Sequence, residues 1–390
     1  MGALKILQAF DFLSLPHGGG TVDIVYKLSK ALAARGHEVT ICTGDHELDT
    51  SYLNGLGNVG LKMYHSYFNR HGIYLMPGLV KLDVRNYDII HLHCYRSIQN
   101  IVLAQKATMY RVPYIIDAHG STVDLPGRKR ILRRLYDMVF GIDILNHAKY
   151  LITETETGVN EYARLGFTGG KVRLQHPLLD TSEFDVLPDK GAFRERHRLG
   201  SEFIVLFLGR LHPTKGIDTL VEAAMMLSDR GVNVRLVIAG QDDGLGRTLF
   251  NMMYNYNKRS PFLMPGFLNG ADKLAVLADA DVLVQPSKNE AGARPSLEAI
   301  MCGTPVIVSR DTGAGREIAK FDGGLLFKSG DAVELANAIR EIIDRPEEAK
   351  ARTEKAREYI EANLSLDKQI GEYEKLYQEA RSLNSKEVIN

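Results

Sequence analysis

The chain has 390 residues, 45% hydrophobic and 25% charged, a length that predicts two domains rather than one core. Its formal net charge of zero argues against a dedicated nucleic-acid binder, although the N-terminal half is mildly basic. Three scattered cysteines, Cys42, Cys94 and Cys302, exclude a disulfide framework and a thiolate zinc centre; with no leader or span-length apolar stretch, the expected location is the cytoplasm.

Residues 3–10 form an apolar run that predicts the first strand, followed by the loop Pro16-His17-Gly18-Gly19-Gly20. Val22, Val25, Leu28 and Leu32 then recur at helical spacing, and Gly36 supplies a C-terminal stop. Residues 39–43 read as a buried strand, which closes a βαβ unit with a parallel sheet. Further strands are predicted at 88–93 and 114–117. The plan restarts with a strand at 203–208, a loop at 209–216, and a helix lined by Ile217, Leu220, Ala224 and Leu227 that Gly231 ends. Strands at 234–239, 281–286 and 305–309 follow. The fold class is α/β, with two doubly wound Rossmann-like domains at residues 1–180 and 190–368. A polar stretch punctuated by Pro177, Pro188 and Gly191 is expected to join them. Beyond Asp344 the chain reads as charged and helical, and residues 369–390 are expected to pack back onto the N-terminal domain.

In open α/β sheets, ligands sit beyond the carboxyl ends of the strands. Four loops there carry chemistry. Gly209-Arg210-Leu211-His212-Pro213-Thr214-Lys215-Gly216 sets two cations on a short loop before a helix, which suits a diphosphate, or else is a solvated turn. It does not have the spacing of a Walker A loop. In Glu290-Ala291-Gly292-Ala293-Arg294-Pro295-Ser296-Leu297-Glu298, Pro295 opens a helix and Glu298 falls in its first turn. Each carboxylate could chelate vicinal hydroxyls, or Glu298 could simply favour the helix dipole and Glu290 be an exposed loop charge. His119, before Gly120 at a strand end, is either a ligand contact or a structural histidine. Gly18-Gly19-Gly20 lets backbone approach a phosphate, but Asp23 stands where a dinucleotide fingerprint needs its third glycine.

The combination and order of these loops resembles the family 4 glycosyltransferases of the GT-B fold, over nearly the whole chain. The matching features are Gly18-Gly19, His119, Arg210 with Lys215, and Glu290 with Glu298 in a Glu-x7-Glu element. The resemblance implies two domains facing a cleft and a retaining transfer of a hexosyl group from a UDP- or GDP-sugar. The acceptor would be a glycan, a lipid-linked sugar or a small molecule; no metal or other cofactor is implied. Arg210 and Lys215, after Gly209, would neutralise the donor diphosphate as it leaves. Glu298 would bind the ribose hydroxyls, and Glu290 the transferred sugar with the amides of Gly292 and Ala293. His119 would hold the sugar near the reacting carbon, and Gly18 and Gly19 would close over the phosphates. The sequence departs from the family pattern in two places. Ala291-Gly292-Ala293 lacks the usual bulky Phe, and His176-Pro177-Leu178-Leu179 replaces a common Asn-Gly.

Other features have plainer explanations. Asp279-Ala280-Asp281 has the form of a metal-binding Asp-x-Asp but reads as a helix-to-strand turn. His91 and His93 lie at a strand end and read as structural. Arg128, Lys129, Arg130, Arg133 and Arg134 precede Met138-Val139-Phe140, with Ile131, Leu135 and Met138 on one helical face. Such a helix either lies on an anionic membrane or packs on the sheet with a solvated basic face. The competing functional readings are a nucleotide-sugar epimerase of the same fold and a non-catalytic nucleotide-sugar or glycan binder.

Overall fold

A computed structural model describes residues 2–14, 20–46, 48, 53–67, 74–122, 129–176, 178–256 and 262–387. Gly18, Gly19 and Arg128 lie outside the described residues, as does Pro177. The chain divides into two compact units, residues 1–178 with 366–390, and residues 179–365.

In the first unit the described strands are β1 (Lys5–Ala9), β2 (Glu38–Gly44), β3 (Gly60–Tyr64), β4 (Ile89–His93), β5 (Tyr114–Asp117), β6 (Tyr150–Thr153) and β7 (Val172–Leu174). All are parallel, in the order β3-β2-β1-β4-β5-β6-β7. Parallel neighbours need crossovers, and these are α1 (Gly20–Ala34), α2 (Ile98–Met109), α3 (Lys129–Tyr136) with α4 (Ile142–His147), and α5 (Glu156–Arg164). Val22, Val25, Leu28 and Leu32 of α1 are all buried on one face of the sheet. The other face packs against α2 and α4.

The second unit repeats the plan with β8 (Phe203–Leu208), β9 (Val234–Ala239), β10 (Phe262–Gly266), β11 (Val282–Gln285), β12 (Val306–Ser309) and β13 (Leu325–Phe327). Their order is β10-β9-β8-β11-β12-β13, again parallel. Its helices are α6 (Ala192–Arg196), α7 (Ile217–Asp229), α8 (Gly246–Tyr254), α9 (Gly270–Asp279), α10 (Arg294–Met301), α11 (Gly313–Ala319), α12 (Ala332–Asp344) and α13 (Pro346–Asn363). Ile217, Leu220, Ala224 and Leu227 line the buried side of α7. The last helix, α14 (Leu366–Glu387), returns to the first unit, where Ile370, Tyr373 and Tyr377 join the core beside α1.

Two details differ from the sequence reading. The stretch expected to be a polar link is built into the second unit, because Phe184 and Phe193 are buried in its core. The basic segment is helical, but its apolar side chains do not pack on the sheet: Ile131 and Met138 are each 76% exposed, and Leu132 and Leu135 are also exposed. A π-helical turn, Asp137–Gly141, ends the exposed stretch. Asp137 is gripped there by Arg96 at 2.9 and 2.7 Å, and a Cβ on Gly141 would strike the Tyr95 hydroxyl.

Asp279 and Asp281 are both used inside the fold. Asp279 accepts from the backbone N–H groups of Gly191, Phe193 and Arg194 at 2.5, 2.8 and 3.1 Å, capping α6. Asp281 accepts from Ile204 N–H and pairs with Arg194 at 2.7 Å. Replacing a buried cap that satisfies three donors costs about 2 kcal/mol. Asp279→Ala is therefore expected to lower the thermal midpoint by several degrees, read by circular dichroism, and Asp279→Asn to lower it less.

Candidate functional site

In the second unit the strand order reverses at β8, which is flanked by β9 and β11, so loops leaving β8 and β11 diverge there. Two glycine contacts fix the first of these loops. A Cβ on Gly240 would overlap the Gly209 carbonyl, and one on Gly216, at φ 64°, would overlap the Pro286 carbonyl. Backbone therefore meets backbone at both ends of residues 209–216. Lys288 and Asn289 also donate to the Thr214 carbonyl, stitching this loop to the one after β11.

That stitching brings Lys215 Nζ to 2.5 Å from Glu290 Oε2, with both side chains largely shielded. Ser287 donates to the same oxygen at 2.9 Å. Arg210 is more exposed and pairs with Asp243 at 2.7 Å. Asp243 is held beside it because its N–H bonds the Leu211 carbonyl, while Asp242 caps the N-terminus of α8.

Glu298 lies in the second turn of α10, not the first as the sequence predicted because the helix begins at Arg294, and 6% of its side chain is exposed. Lys273 approaches one carboxylate oxygen at 2.7 Å and Arg294 the other at 3.2 Å. Burial alone would raise its pKa, but the two cations outweigh that and hold the carboxyl below its ordinary range. Gly292 and Ala293 are tied down between these acids. The Gly292 carbonyl accepts from Gln285 at 3.1 Å, and Ala293 N–H donates to Glu317 at 2.9 Å. Gly313 N–H donates to the Glu290 carbonyl at 2.8 Å, and a Cβ on Gly313 would strike the Ala291 carbonyl. Arg210, Lys215, Glu290 and Glu298 therefore share the carboxyl end of one sheet.

In the first unit His119 follows β5 in a tight turn. Ser121 N–H bonds the Ala118 carbonyl at 2.8 Å, and His119 and Gly120 both have positive φ, 45° and 74°. For a side chain other than glycine this conformation costs about 1 kcal/mol. The compensation is an inward-turned imidazole, only 2% exposed. Its Nδ1 lies 2.8 Å from Glu154 and 3.5 Å from Asp117, and its Nε2 lies 2.9 Å from His93 Nδ1. The ring is thus fully engaged within the unit, and the part of residue 119 that reaches the surface is its backbone. Asp117, His119 and Glu154 form the one group of three potential ligands among the described residues, their atoms within 4.8 Å. The imidazole–carboxylate bonds already account for that spacing.

Sequence reasoning missed Glu154, Asp243, Lys273 and Arg294 as partners of the named residues. Glu154, Asp243 and Lys273 become relevant only through contacts between elements distant in the chain, and each alone has the look of an ordinary surface charge; Arg294 stands one helical turn before Glu298, a spacing the sequence does show. His93 was visible in the sequence as a strand-end histidine, and it is indeed buried.

Residues 189–359 match the family model described as Glycosyl transferases group 1, and residues 18–183 match that described as Glycosyltransferase Family 4. A GDP-mannose-dependent α-(1-6)-phosphatidylinositol dimannoside mannosyltransferase of Mycobacterium tuberculosis is 26% identical over 365 residues, 92% of each chain. An uncharacterized glycosyltransferase of Methanocaldococcus jannaschii is 28% identical over 312 residues, 76% of this chain and 77% of the relative. Among solved structures, Anabaena HepE in complex with UDP and glucose is similar at a TM-score of 0.80 and 17% identity, covering 96% of this chain and all of that one. Sucrose-phosphate synthase of Thermosynechococcus elongatus is similar at 0.78 and 22% identity, covering 97% and 100%. These structures share the GT-B fold with this chain.

The Gly216 contact generates a direct test. Gly216→Ala must push residues 209–216 off Pro286 and part Lys215 from Glu290, at a cost of about 1–3 kcal/mol. Hydrogen exchange at the Lys288 amide, which bonds Thr214, is expected to accelerate at least about tenfold in the variant.

Proposed function

The chain belongs to the group 1 (family 4) glycosyltransferases and is an enzyme, and from that premise we propose a retaining, metal-independent transfer of a hexosyl group from a UDP- or GDP-sugar. The observation that carries this reading is the Lys215–Glu290 pair, with Arg210 on the same loop and Glu298 in the next helix. A nucleoside diphosphate leaving group gains negative charge as the glycosidic bond breaks. Two cations carried by one loop stabilise that charge more than they stabilise the intact donor. Before donor arrives, Lys215 and Arg210 are held by Glu290 and Asp243. The diphosphate exchanges for the carboxylates, which frees Glu290 to accept from hydroxyls of the sugar.

Glu298 is the candidate ribose acceptor, oriented by Lys273 and Arg294. Gly292 and Ala293 form the loop wall near the sugar, and Gly209 shapes the turn that carries Arg210. Gly18 and Gly19 are proposed to approach the phosphates. His119 is proposed to act through its backbone turn. In the retaining route the acceptor hydroxyl attacks from the face the leaving group vacates. Its proton passes to the departing phosphate oxygen, so no enzymic nucleophile is required.

The mannosyltransferase relative is named for GDP-mannose and a phosphatidylinositol mannoside, and HepE was solved with UDP and glucose. A GDP- or UDP-hexose and a lipid-linked or glycan acceptor are therefore the first to try. Calorimetric titration of UDP-, GDP-, ADP- and dTDP-sugars is expected to show one base preferred by at least about tenfold, or about 1.4 kcal/mol. Lys215→Ala should lose at least as much affinity. Transfer to an added acceptor, followed by NMR of the anomeric centre, should show retention; hydrolysis or epimerisation as the main outcome would favour the epimerase. If no nucleotide sugar binds, the assignment of these loops is wrong.

A second proposal concerns location. No described helix is long and apolar enough to cross a membrane. The helix α3 instead exposes Ile131, Leu132 and Leu135 alongside Arg130 and Arg134. This face fits peripheral contact with the anionic cytoplasmic leaflet, where each cation near the surface contributes about 1 kcal/mol. Co-sedimentation with phosphatidylglycerol-rich vesicles is expected, weakening as salt rises and lost when Arg130 and Arg134 become Ala. Unchanged sedimentation of that variant would refute the contact.

A further inference from the structure

The carboxyl ends of β1, β2 and β3 meet at a point that none of the site residues above occupies. Gly44 N–H donates to the Asp11 carbonyl at 3.1 Å. A Cβ on Gly44 would lie 2.9 Å from that oxygen, 3.1 Å from Met76 Sδ and 3.6 Å from Ser66 Cβ, so the absence of a side chain lets the three loops pack together. Asp45 N–H then bonds the Tyr64 carbonyl, and Tyr67 N–H the Leu75 carbonyl, both at 3.0 Å. The result is a row of half-buried rings. Phe12 packs on the buried Phe10 at 5.1 Å between centroids, Tyr74 on Phe12 at 5.1 Å, and His46 beside Tyr74 at 6.1 Å. Next to His46 in the chain, Asp45 fixes a second group. Its Oδ1 accepts from Ser66 N–H at 2.9 Å, and its Oδ2 lies 2.7 Å from His65 Nδ1. The His65 ring stands edge-on to Tyr67 at 4.5 Å, and Tyr67 is 70% exposed.

The bond between Asp45 and His65 decides what that ring offers. His65, then Ser66 N–H, hold the Asp45 carboxyl below its ordinary range, so it is ionised at neutral pH and can only accept. His65 therefore donates from Nδ1, and in the neutral ring Nε2 is a bare acceptor. Among the described residues that nitrogen has no protein partner, and 63% of the side chain is exposed. We propose that this corner of the first unit is a saccharide-binding subsite. Phe12 and Tyr74 take the C–H face of a pyranose ring, while His65 Nε2 and the Asp45 carboxylate accept from its hydroxyls. A sugar ring is apolar on one face and rimmed by hydroxyl donors, which matches a narrow aromatic shelf bordered by two acceptors. An acyl chain needs a broader apolar surface, and a phosphate headgroup meets the Asp45 charge. The subsite is built from the first unit alone. It rests on the transferase reading in one respect, that it narrows the acceptor to a molecule presenting a sugar ring.

The test is saturation-transfer NMR of the full chain, without nucleotide, titrated with the methyl α-glycosides of glucose, mannose, galactose and N-acetylglucosamine. At least one is expected to bind, with saturation reaching its ring C–H protons. Tyr74→Leu, which keeps apolar volume but removes the aromatic face, and His65→Ala should each weaken that binding at least about fivefold. The thermal midpoint and nucleotide-sugar affinity should stay unchanged in both, and inorganic phosphate should not compete. Long-range 15N–1H correlation at about pH 8 should show His65 protonated on Nδ1. Asp45→Asn, whose amide can donate where Oδ2 accepted, should move that proton to Nε2. Sugar binding that ignores both substitutions, competition by phosphate, or a wild-type His65 protonated on Nε2 would each overturn the proposal. A wild type that binds a nucleotide sugar but none of the glycosides up to about 50 mM would overturn it too, and leave the donor-site reading standing. Glycoside binding without any nucleotide-sugar binding would uphold the subsite and count against the donor-site reading instead.

Discussion

Both units depend on one constraint: a first strand paired in parallel on both sides, β1 between β2 and β4, and β8 between β9 and β11. Parallel strands cannot be joined by tight hairpins, so each crossover must run over a face of the sheet. Where the order reverses, successive crossovers leave toward opposite edges and their loops part at the carboxyl end. In the second unit the chemistry-bearing residues emerge there, Arg210 and Lys215 after β8 and Glu290 after β11; in the first unit His93 ends β4, and His119 and Glu154 follow β5 and β6, farther along the same carboxyl edge. Sheet order, more than any single side chain, sets which of these residues meet.

The electrostatics of the second unit fall into two classes. Arg210–Asp243 is an exposed pair, and such pairs contribute about 0–1 kcal/mol, so a more highly charged diphosphate can displace the carboxylate at little cost. Glu298 is different. It is buried and braced by two cations, and stripping one partner from a buried charge costs several kcal/mol. Glu298 is a fixture, Arg210 is exchangeable, and the largely shielded Lys215–Glu290 pair lies between the two.

The first unit solves another problem, a left-handed histidine at a strand end. The strain at residue 119 is tolerated because its ring is bonded at both nitrogens, to Glu154 and to a His93 that Gln8 holds in turn. Tyr377 and Tyr373 bring the far end of the chain into this network, so α14 serves as more than a cover for the sheet. The anchored but outward-facing α3 shows the opposite economy. Arg96 and Tyr136 fix its C-terminal end, and its apolar side chains are left to solvent.

Periodicity and glycine placement in the sequence determined the doubly wound class, the restart at residue 203, the buried faces of α1 and α7, and the strands of both sheet centres. These signals are local: a run of apolar residues or a 3.6-residue repeat is visible without knowing the neighbours. The edge strands β3, β7, β10 and β13 were not legible, and neither was the interior strand β6, because runs of three to five residues are too short to stand out from helix or loop. The interval 178–200 looked like a link because its polarity masks two buried phenylalanines, Phe184 and Phe193. The order of the loops pointed to Arg210, Lys215, Glu290 and Glu298, but not to the partners that hold them. Asp243, Lys273 and Glu154 sit 33, 25 and 35 residues from the groups they pair with. Only the sheet's crossovers bring them within 3 Å, and a charge's partner across a crossover leaves no pattern in the chain.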